Sequence, residues 1–174
     1  MSASKPGYEY LLTYQNSVII YDCNVQFCQK FVSKFSRTFN QMIQAGRSGK
    51  QCIPEGYLQR SLKGYIKLLG VTRGSFEELL HDYLDFARHH QIEIRDKWDQ
   101  GVKRDKFGMY VLPLDPLNLL DPFIPVNFMV NLIRRTNYLL DRQISALEEK
   151  FVQEGGYTEN LFKRRLQAKN FKQT

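Results

Sequence analysis

Three histidines and their acidic neighbours are the side chains best suited to hold a metal. Glu78 and His81 match the Glu-x-x-His element that carboxylate-bridged di-iron bundles place on two of their helices. The chain has only three histidines, at positions 81, 89 and 90, and none completes a second such element. His81, Asp85 and His89 share one helix face and could hold a single metal, but a solvated polar stripe is the commoner explanation. We therefore predict no metal and no other cofactor.

The segment from Gly46 to Lys50 resembles a phosphate-binding loop, but it departs from that motif at two positions. Gln44 stands where the first glycine belongs, and Gln51 replaces the serine or threonine that contacts magnesium. The segment also lies inside a helical pattern, whereas the motif requires a preceding strand. It does not predict nucleotide binding.

The three cysteines do not indicate covalent catalysis or disulfide bonding. Cys23, Cys28 and Cys52 form no Cys-x-x-Cys pair, and none has an evident activating neighbour. Nucleophilic catalysis is therefore a weak alternative, and we predict no catalytic residue. The thiols are expected to be reduced, as in cytoplasmic proteins.

The length and composition predict one globular unit. The chain has 174 residues, of which 43% are hydrophobic and 25% charged, which is ordinary for a single folded domain. The N-terminal segment has no apolar stretch typical of a signal peptide, and no window reaches the ~20 apolar residues needed to cross a bilayer. We expect a soluble cytoplasmic protein with no membrane partner.

Apolar residues recur at three- and four-residue spacing in four segments, which predicts four amphipathic helices. Ser17, Ser36 and Ser61 stand where they could cap the first three, and Gly155 with Gly156 is expected to end the fourth. The predicted helices are at about 18–32, 37–54, 62–90 and 126–154. The expected fold class is all-α, an up-and-down antiparallel four-helix bundle over residues 1–156. A long connection joins helices 3 and 4, and a short helical appendix lies in a basic C-terminal segment, residues 157–174.

Three local features leave alternatives open. Gly46 and Gly49 lie on the inner face of helix 2, where close backbone approach by a neighbouring helix would offset their cost of about 1 kcal/mol each. Ser75 could begin a new helix, although apolar spacing favours one continuous helix 3 through the preceding glycines. Asn137, the one polar residue of the helix 4 seam, could fix register or subunit pairing, or it could be a buried amide bonded to a neighbouring carbonyl.

The positive charge is concentrated in two segments. The chain has 25 Lys and Arg against 18 Asp and Glu, a net charge of +7. Residues 30–73 contain nine basic side chains and one acidic one, and residues 160–174 contain five basic side chains and no acidic one. Such clusters attract phosphate backbones, and Tyr57 and Tyr65 could add stacking on unpaired bases. A solvated face, or a basic surface that meets an acidic one on another subunit, is the alternative.

Several segments also resemble a known family when taken in order. Residues 41–56, 74–79, 136–143 and 154–159 are similar to bacterial four-helix-bundle proteins encoded by intervening sequences in 23S ribosomal RNA genes, in the branch with a C-terminal suffix segment. The resemblance implies an up-and-down bundle and a homopentameric ring. It also implies kinship with accessory proteins of diversity-generating retroelements, which are thought to contact nucleic acid and a reverse transcriptase. Pro54 replaces the family's usual alanine, and residues 92–122 exceed the short connection of the simplest members.

The leading hypothesis from the sequence is a non-enzymatic, oligomeric protein that binds RNA or DNA. The alternative is a protein-interaction scaffold or an accessory subunit of a mobile-element enzyme such as a reverse transcriptase. A metal enzyme built on Glu78, His81 and His89 is a third class. The side chains predicted to contact phosphates are Arg37, Arg47, Lys50, Arg60, Lys63, Lys67, Lys163, Arg164 and Arg165.

Overall fold

A computed structural model describes residues 6–95 and 103–170, and the chain is mostly helical. A short 3-10 helix, Gly7–Tyr10, precedes the first long helix. The five α-helices are α1 Leu12–Phe31, α2 Arg37–Tyr57, α3 Leu62–His89, α4 Phe123–Glu154 and α5 Tyr157–Asn170. Residues 96–102 of the predicted long connection and residues 171–174 of the predicted C-terminal segment lie outside the described residues.

The described part of the connection between α3 and α4 contains a small hairpin that the sequence pattern did not predict. Its strands are β1 Lys103–Arg104 and β2 Tyr110–Val111, paired antiparallel. Side chains of α1 hold β2: the Gln26 amide donates to the Tyr110 carbonyl at 2.7 Å and accepts from the Leu112 N–H at 3.0 Å. The hairpin therefore packs along α1 and does not extend freely into solvent.

Serine caps begin α2 and α3, as the sequence predicted. The Ser36 hydroxyl accepts from the Phe39 N–H at 3.2 Å, and the Ser61 hydroxyl accepts from the Gly64 N–H at 3.4 Å. The prediction for Ser17 was wrong. It lies inside α1 and is fully buried, and its hydroxyl donates to the Tyr14 carbonyl at 2.6 Å, because α1 begins at Leu12 and not near Val18.

The ends of the other helices follow local backbone chemistry. α2 continues past Pro54 to Tyr57, because a proline in the last turn removes one N–H but does not prevent helical dihedral angles in the residues after it. α4 begins at Phe123, whose N–H donates to the Asp121 carboxylate. It ends at Gly155, which adopts a φ of 76°, a conformation that glycine reaches without strain.

Four helices enclose one apolar core. α1 packs against α2, α2 against α3, α3 against α4, and α4 against α1. The largest fully buried side chains come from all four helices, among them Phe27, Ile53, Phe76, Tyr83 and Met129. Within the described residues, no helix is both long and apolar enough to span a bilayer.

The glycines of α2 make room for side chains of neighbouring helices, where backbone contact was expected. A Cβ atom on Gly49 would lie 2.3 Å from Cε1 of Phe76, and one on Gly46 would lie 3.1 Å from Nδ2 of Asn24. By contrast, Gly70 and Gly74 of α3 are exposed with open space around them. α3 runs through both without interruption.

Two separate sets of hydrogen bonds made by buried amides join the four helices. Asn24 of α1 donates to the Met42 carbonyl of α2 at 2.8 Å and accepts from the Tyr83 hydroxyl of α3 at 3.0 Å. Asn137 of α4 donates to the Glu77 carboxylate of α3 at 3.1 Å, so its partner is a side chain and not a backbone carbonyl. Buried amides bonded in this way resist sliding of one helix along another.

Candidate nucleic-acid interface

The nine side chains predicted to contact phosphates lie on three helices and one loop. Arg37, Arg47 and Lys50 are on α2, Arg60 is in the loop between α2 and α3, and Lys63 and Lys67 are in the first turns of α3. Lys163, Arg164 and Arg165 are on α5. Eight of them are exposed, and Lys50 is partly buried.

These side chains do not form one continuous patch. Arg37 lies toward α3, in a groove of about 410 Å³ that it lines together with Ser75 and Glu78. Lys50 lies toward α1, with its ammonium 4.1 Å from the ring centroid of Tyr21. Because Arg37 and Lys50 face different neighbours of α2, the basic residues of this helix are spread around it.

One group does converge, in a cleft of about 320 Å³ where three parts of the chain meet. Arg60 comes from the α2–α3 loop, Lys150 from the last turns of α4, and Arg164 from α5. Lys63 and Lys67, three and seven residues after Arg60 in sequence, are four residues apart in α3 and so share one face of that helix. We call Arg60, Lys150 and Arg164 the basic cleft.

The electrostatics of the basic cleft favour an anion. Glu154 is the one acidic residue in its lining, and its carboxylate lies 3.9 Å from the Lys150 ammonium. Three cations against one carboxylate leave an excess of positive charge. The first turn of α5 also lines the cleft, and there the Glu159 carboxylate accepts from the Gly156 N–H at 3.1 Å and offsets the partial positive charge of the helix N-terminus.

The basic side chains of the predicted set are available to a ligand. Within the described part of the chain, none of the nine forms an ion pair with an acidic side chain. Arg73, which belongs to the same basic stretch of sequence, differs: it pairs with Glu77 and with Asp141, the latter at 3.0 Å. Partial burial lowers the pKa of Arg73, but the hydrogen bonds to these two carboxylates outweigh burial and raise it.

Aromatic side chains form the bundle end next to the basic cleft. Tyr8 contacts Tyr14 and Tyr57 edge-on, with ring centroids 4.9 and 6.0 Å apart, and Tyr57 contacts Tyr65 at 5.9 Å. We call these four residues the tyrosine end. Tyr57 is three residues before Arg60, so the cleft and the tyrosine end are adjacent.

The predicted stacking role of Tyr65 was wrong. Its ring is only 9% exposed, and its hydroxyl accepts from the Gln143 amide of α4 at 2.6 Å. Burial raises the pKa of Tyr65 to about 12. A ring held in the core cannot stack on a nucleobase, and Tyr57, 41% exposed, remains the accessible tyrosine of the predicted pair.

A groove between the α1–α2 loop and the end of α3 has acidic side chains in its lining. It has a volume of about 340 Å³ and is lined by Asp82, Asp85 and His89 among others. Burial, followed by the charges of Glu78 and Asp85, raises the pKa of Asp82. One oxygen of Asp82 is buried and has no hydrogen-bond partner within the described residues. This groove does not favour an anion.

In the described part of the chain, the side chains considered for metal binding and thiol chemistry are not arranged as a reactive centre. Among residues 6–95 and 103–170, no three His, Cys, Asp or Glu side chains are grouped so that they could hold a metal ion. His81 lies 3.6 Å from the Glu77 carboxylate. Burial raises the pKa of both Cys23 and Cys28 to about 12, which opposes formation of the reactive thiolate.

Sequence reasoning missed two basic features. Lys150 stands among Glu148, Glu149 and Glu154, so the local charge count concealed it. Lys103, Arg104 and Lys106 belong to the hairpin, whose two-residue strands are too short to give a periodic signal. Asp105 and Gly108, residue types that favour turns, are the signal that could have identified the hairpin.

Comparison with known proteins gave no relatives: no family model, no curated protein and no solved structure matches the chain.

Proposed function

We propose that this chain is a non-enzymatic nucleic-acid-binding protein whose basic surface contacts the phosphate backbone of RNA or DNA. The observation that carries the proposal is the basic cleft, where Arg60 and Arg164, over one hundred positions apart in sequence, line one cavity together with Lys150. Lys63, Lys67, Lys163 and Arg165 extend this surface, and Arg37, Arg47 and Lys50 form outlying contacts along α2.

The physical basis of the proposal is electrostatic. Each phosphate that a lysine or arginine neutralises releases condensed counterions, and this gain needs no base-specific geometry. Guanidinium groups also bind phosphate oxygens through two parallel hydrogen bonds. Arg60 and Arg164, which form no ion pair within residues 6–95 and 103–170, therefore support phosphate binding better than the paired Arg73 does.

A pair of double variants tests this function. Arg60→Ala with Arg164→Ala removes two cations from the basic cleft, and Lys30→Ala with Lys34→Ala removes two at the α1–α2 loop, so both proteins have the same net charge. The cleft variant should bind a fluorescent oligonucleotide about tenfold or more weakly, because each charged hydrogen bond contributes about 1.5–3 kcal/mol. The control variant should lose far less affinity.

Equal losses in the two double variants would contradict a localised interface and leave only general attraction to a basic protein. Undiminished affinity in the cleft variant would contradict the assignment of the cleft itself. Circular dichroism of both variants checks that the helices remain folded.

We also propose that α1 to α4 form an up-and-down antiparallel four-helix bundle and that the protein is a cytoplasmic homo-oligomer. The cyclic order of helix contacts supports the bundle, and short connections at residues 32–36 and 58–61 favour antiparallel neighbours. A ring of five subunits is what the resemblance to the intervening-sequence family implies. Light scattering coupled to size-exclusion chromatography measures the subunit number directly.

A second candidate function is a protein-interaction scaffold, such as an accessory subunit of a reverse transcriptase. The observation that favours it is the apolar surface of α5, where Leu161, Phe162 and Leu166 are 46%, 59% and 45% exposed. Replacing Phe162 and Leu166 by serine keeps every charge of α5 and leaves the lining of the basic cleft unchanged. If the scaffold is the main function, this variant loses self-association or capture of the partner protein and keeps its affinity for nucleic acid.

A further inference from the structure

The hairpin between α3 and α4 presents an aromatic side chain at its tip. β1 and β2 pair Lys103 with Val111 and Arg104 with Tyr110. The turn between them carries Phe107, whose side chain is 76% exposed. Burying a phenylalanine contributes about 1.5–3 kcal/mol, so a solvated ring at the end of an ordered turn forgoes this stabilisation.

The tip is held in one conformation from two sides. The Asp105 carboxylate accepts from the N–H groups of Phe107 and Met109, each at 2.9 Å, and Gly108 adopts a φ of 81° between them. On the other side, Asp22 of α1 accepts from the Tyr110 N–H at 3.2 Å, next to the two hydrogen bonds of Gln26 described above. An ordered tip loses little conformational entropy when it binds a ligand.

The charge around Phe107 is positive. Lys103, Arg104 and Lys106 flank the turn, and the one acidic residue among them, Asp105, is occupied by backbone N–H groups. The Lys106 ammonium lies 5.0 Å from the ring centroid of Phe107, and the Arg104 guanidinium lies 4.3 Å from that of Tyr110. The hairpin thus combines rings with cations.

We propose that Phe107 stacks on an unpaired base of single-stranded nucleic acid while Lys103 and Lys106 contact the adjacent phosphates. Proteins that bind single strands combine aromatic platforms with a positive track for the backbone in this way. A base inside a duplex is already stacked on both faces and cannot take up the phenylalanine. The inference rests on the proposed function and adds to it the class of substrate.

A single strand of nucleic acid that contacts the hairpin can also reach the basic cleft. Arg104 and Tyr110 line a cavity of about 260 Å³ together with Glu9 and Tyr14. Tyr14 belongs to the tyrosine end, which leads through Tyr8 and Tyr57 toward Arg60. β2 is also bonded to Asp22 and Gln26, so the hairpin extends along α1 away from the tyrosine end. A nucleic-acid strand that follows α1 can contact both the hairpin and the basic cleft.

An apolar protein surface is the other occupant that the hairpin could bind. Phe107, Met109 and Val111 alternate along the turn and β2, and they are 76%, 43% and 39% exposed. The three cations beside this ridge favour a polyanion, since an apolar partner would leave them without compensating charge.

The test compares Phe107→Ala, Phe107→Trp and Leu117→Ala in the full chain. Leu117 is 96% exposed in the same connection but outside the hairpin, so its variant controls for loss of an exposed apolar side chain. The probes are a fluorescein-labelled oligouridine, the corresponding oligodeoxythymidine, and each of these annealed to its complement, with affinity measured by fluorescence anisotropy at fixed salt.

Phe107→Ala should lower affinity for the single strands about tenfold, since stacking of one base contributes about 1–3 kcal/mol, and should leave duplex affinity unchanged. Phe107→Trp should restore binding, and Leu117→Ala should resemble the original protein. Photocrosslinking of 5-bromouridine in the oligouridine should modify the peptide that contains Phe107.

Three results would overturn the inference: equal affinities for Phe107→Ala and Leu117→Ala, an equal loss on duplex and single strand, or crosslinks confined to peptides outside residues 103–111. If one of these results is obtained but Arg60→Ala with Arg164→Ala still weakens nucleic-acid binding, the inference about the hairpin is wrong and the proposed function remains. Failure of the unsubstituted protein to bind any probe would overturn both.

Discussion

Gly49→Ala should destabilise the fold although alanine is the better helix former. The added Cβ would lie 2.3 Å from Cε1 of Phe76 and 2.7 Å from two further atoms of the same ring, whereas carbon atoms normally approach no closer than about 3.5 Å. Phe76 is fully buried between helices, so the ring cannot move away without displacing its neighbours. Overpacking of this kind costs about 1–3 kcal/mol.

Gly74→Ala is the matched control, because it makes the same change in a helix where no atom lies within 4 Å of the new Cβ. Both substitutions gain about 1 kcal/mol of helix propensity, which cancels when the two variants are compared. We expect Gly49→Ala to be about 1–3 kcal/mol less stable than Gly74→Ala, which in a domain of this size corresponds to a difference of about 2–12 °C in Tm.

Urea unfolding followed by circular dichroism measures this difference. Gly49→Ala combined with Phe76→Leu should show favourable coupling in a double-mutant cycle, since the smaller side chain makes space for the methyl group. If Gly49→Ala is as stable as Gly74→Ala, the ring of Phe76 does not pack on α2 at this position, and the described contact between α2 and α3 is wrong.

Three further predictions concern the core and its ionisable groups. Tyr83→Phe should lower the free energy of unfolding by about 1–3 kcal/mol, because Asn24 loses a buried donor, whereas Tyr138→Phe at an exposed site should change it little. Burial raises the pKa of Asp82, so the folded protein keeps this proton to higher pH than the unfolded chain, and the stability contributed at low pH is lost as pH rises through the folded pKa. Asp82→Asn should therefore raise the Tm at neutral pH but not below the ordinary pKa of 3.8. In the native protein iodoacetamide should modify Cys52 alone and slowly, since that thiol is half-buried with a raised pKa and the other two are fully buried.

Each of these has a clear opposite outcome. If Asp82→Asn and the unsubstituted protein have the same Tm at every pH, the result would contradict the burial of the Asp82 carboxylate. Fast alkylation of all three thiols before unfolding, observed by mass spectrometry, would contradict the packing of α1. A Tyr83→Phe protein with unchanged stability would show that the hydroxyl of Tyr83 has no partner in the core.

Local chemistry made parts of the fold predictable from sequence. Ser36 and Ser61 cap helices because a serine side chain satisfies backbone N–H groups within its own turn. Gly155 ends α4 for a similarly local reason, its positive φ. The prediction for Ser17 failed because a serine inside a helix can instead bond a carbonyl of the preceding turn. The first turn of α1 is also held by a distant partner, since the Thr13 hydroxyl donates to the Gln143 amide of α4.

Features that depend on distant partners were not predictable. The hairpin is stabilised by Asp22 and Gln26, more than eighty positions away, and its strands are too short for alternation to be visible. The basic cleft brings together Arg60, Lys150 and Arg164 through the angle between α4 and α5, which no local pattern encodes. Tyr57 and Tyr65 are both tyrosines in similar sequence contexts. Tyr65 is a core residue because it packs against α4, where its hydroxyl accepts from the Gln143 amide.

The dependence of binding on salt tests the central claim most directly. Anisotropy titrations of a labelled single-stranded oligonucleotide between about 50 and 200 mM salt should show a steep loss of affinity for the unsubstituted protein. For Arg60→Ala with Arg164→Ala, the slope of log K against log salt should be shallower by about 1.4, since each phosphate contact on a single strand contributes about 0.7. Affinity that is independent of salt, or a slope that the double substitution leaves unchanged, would contradict phosphate binding in the basic cleft.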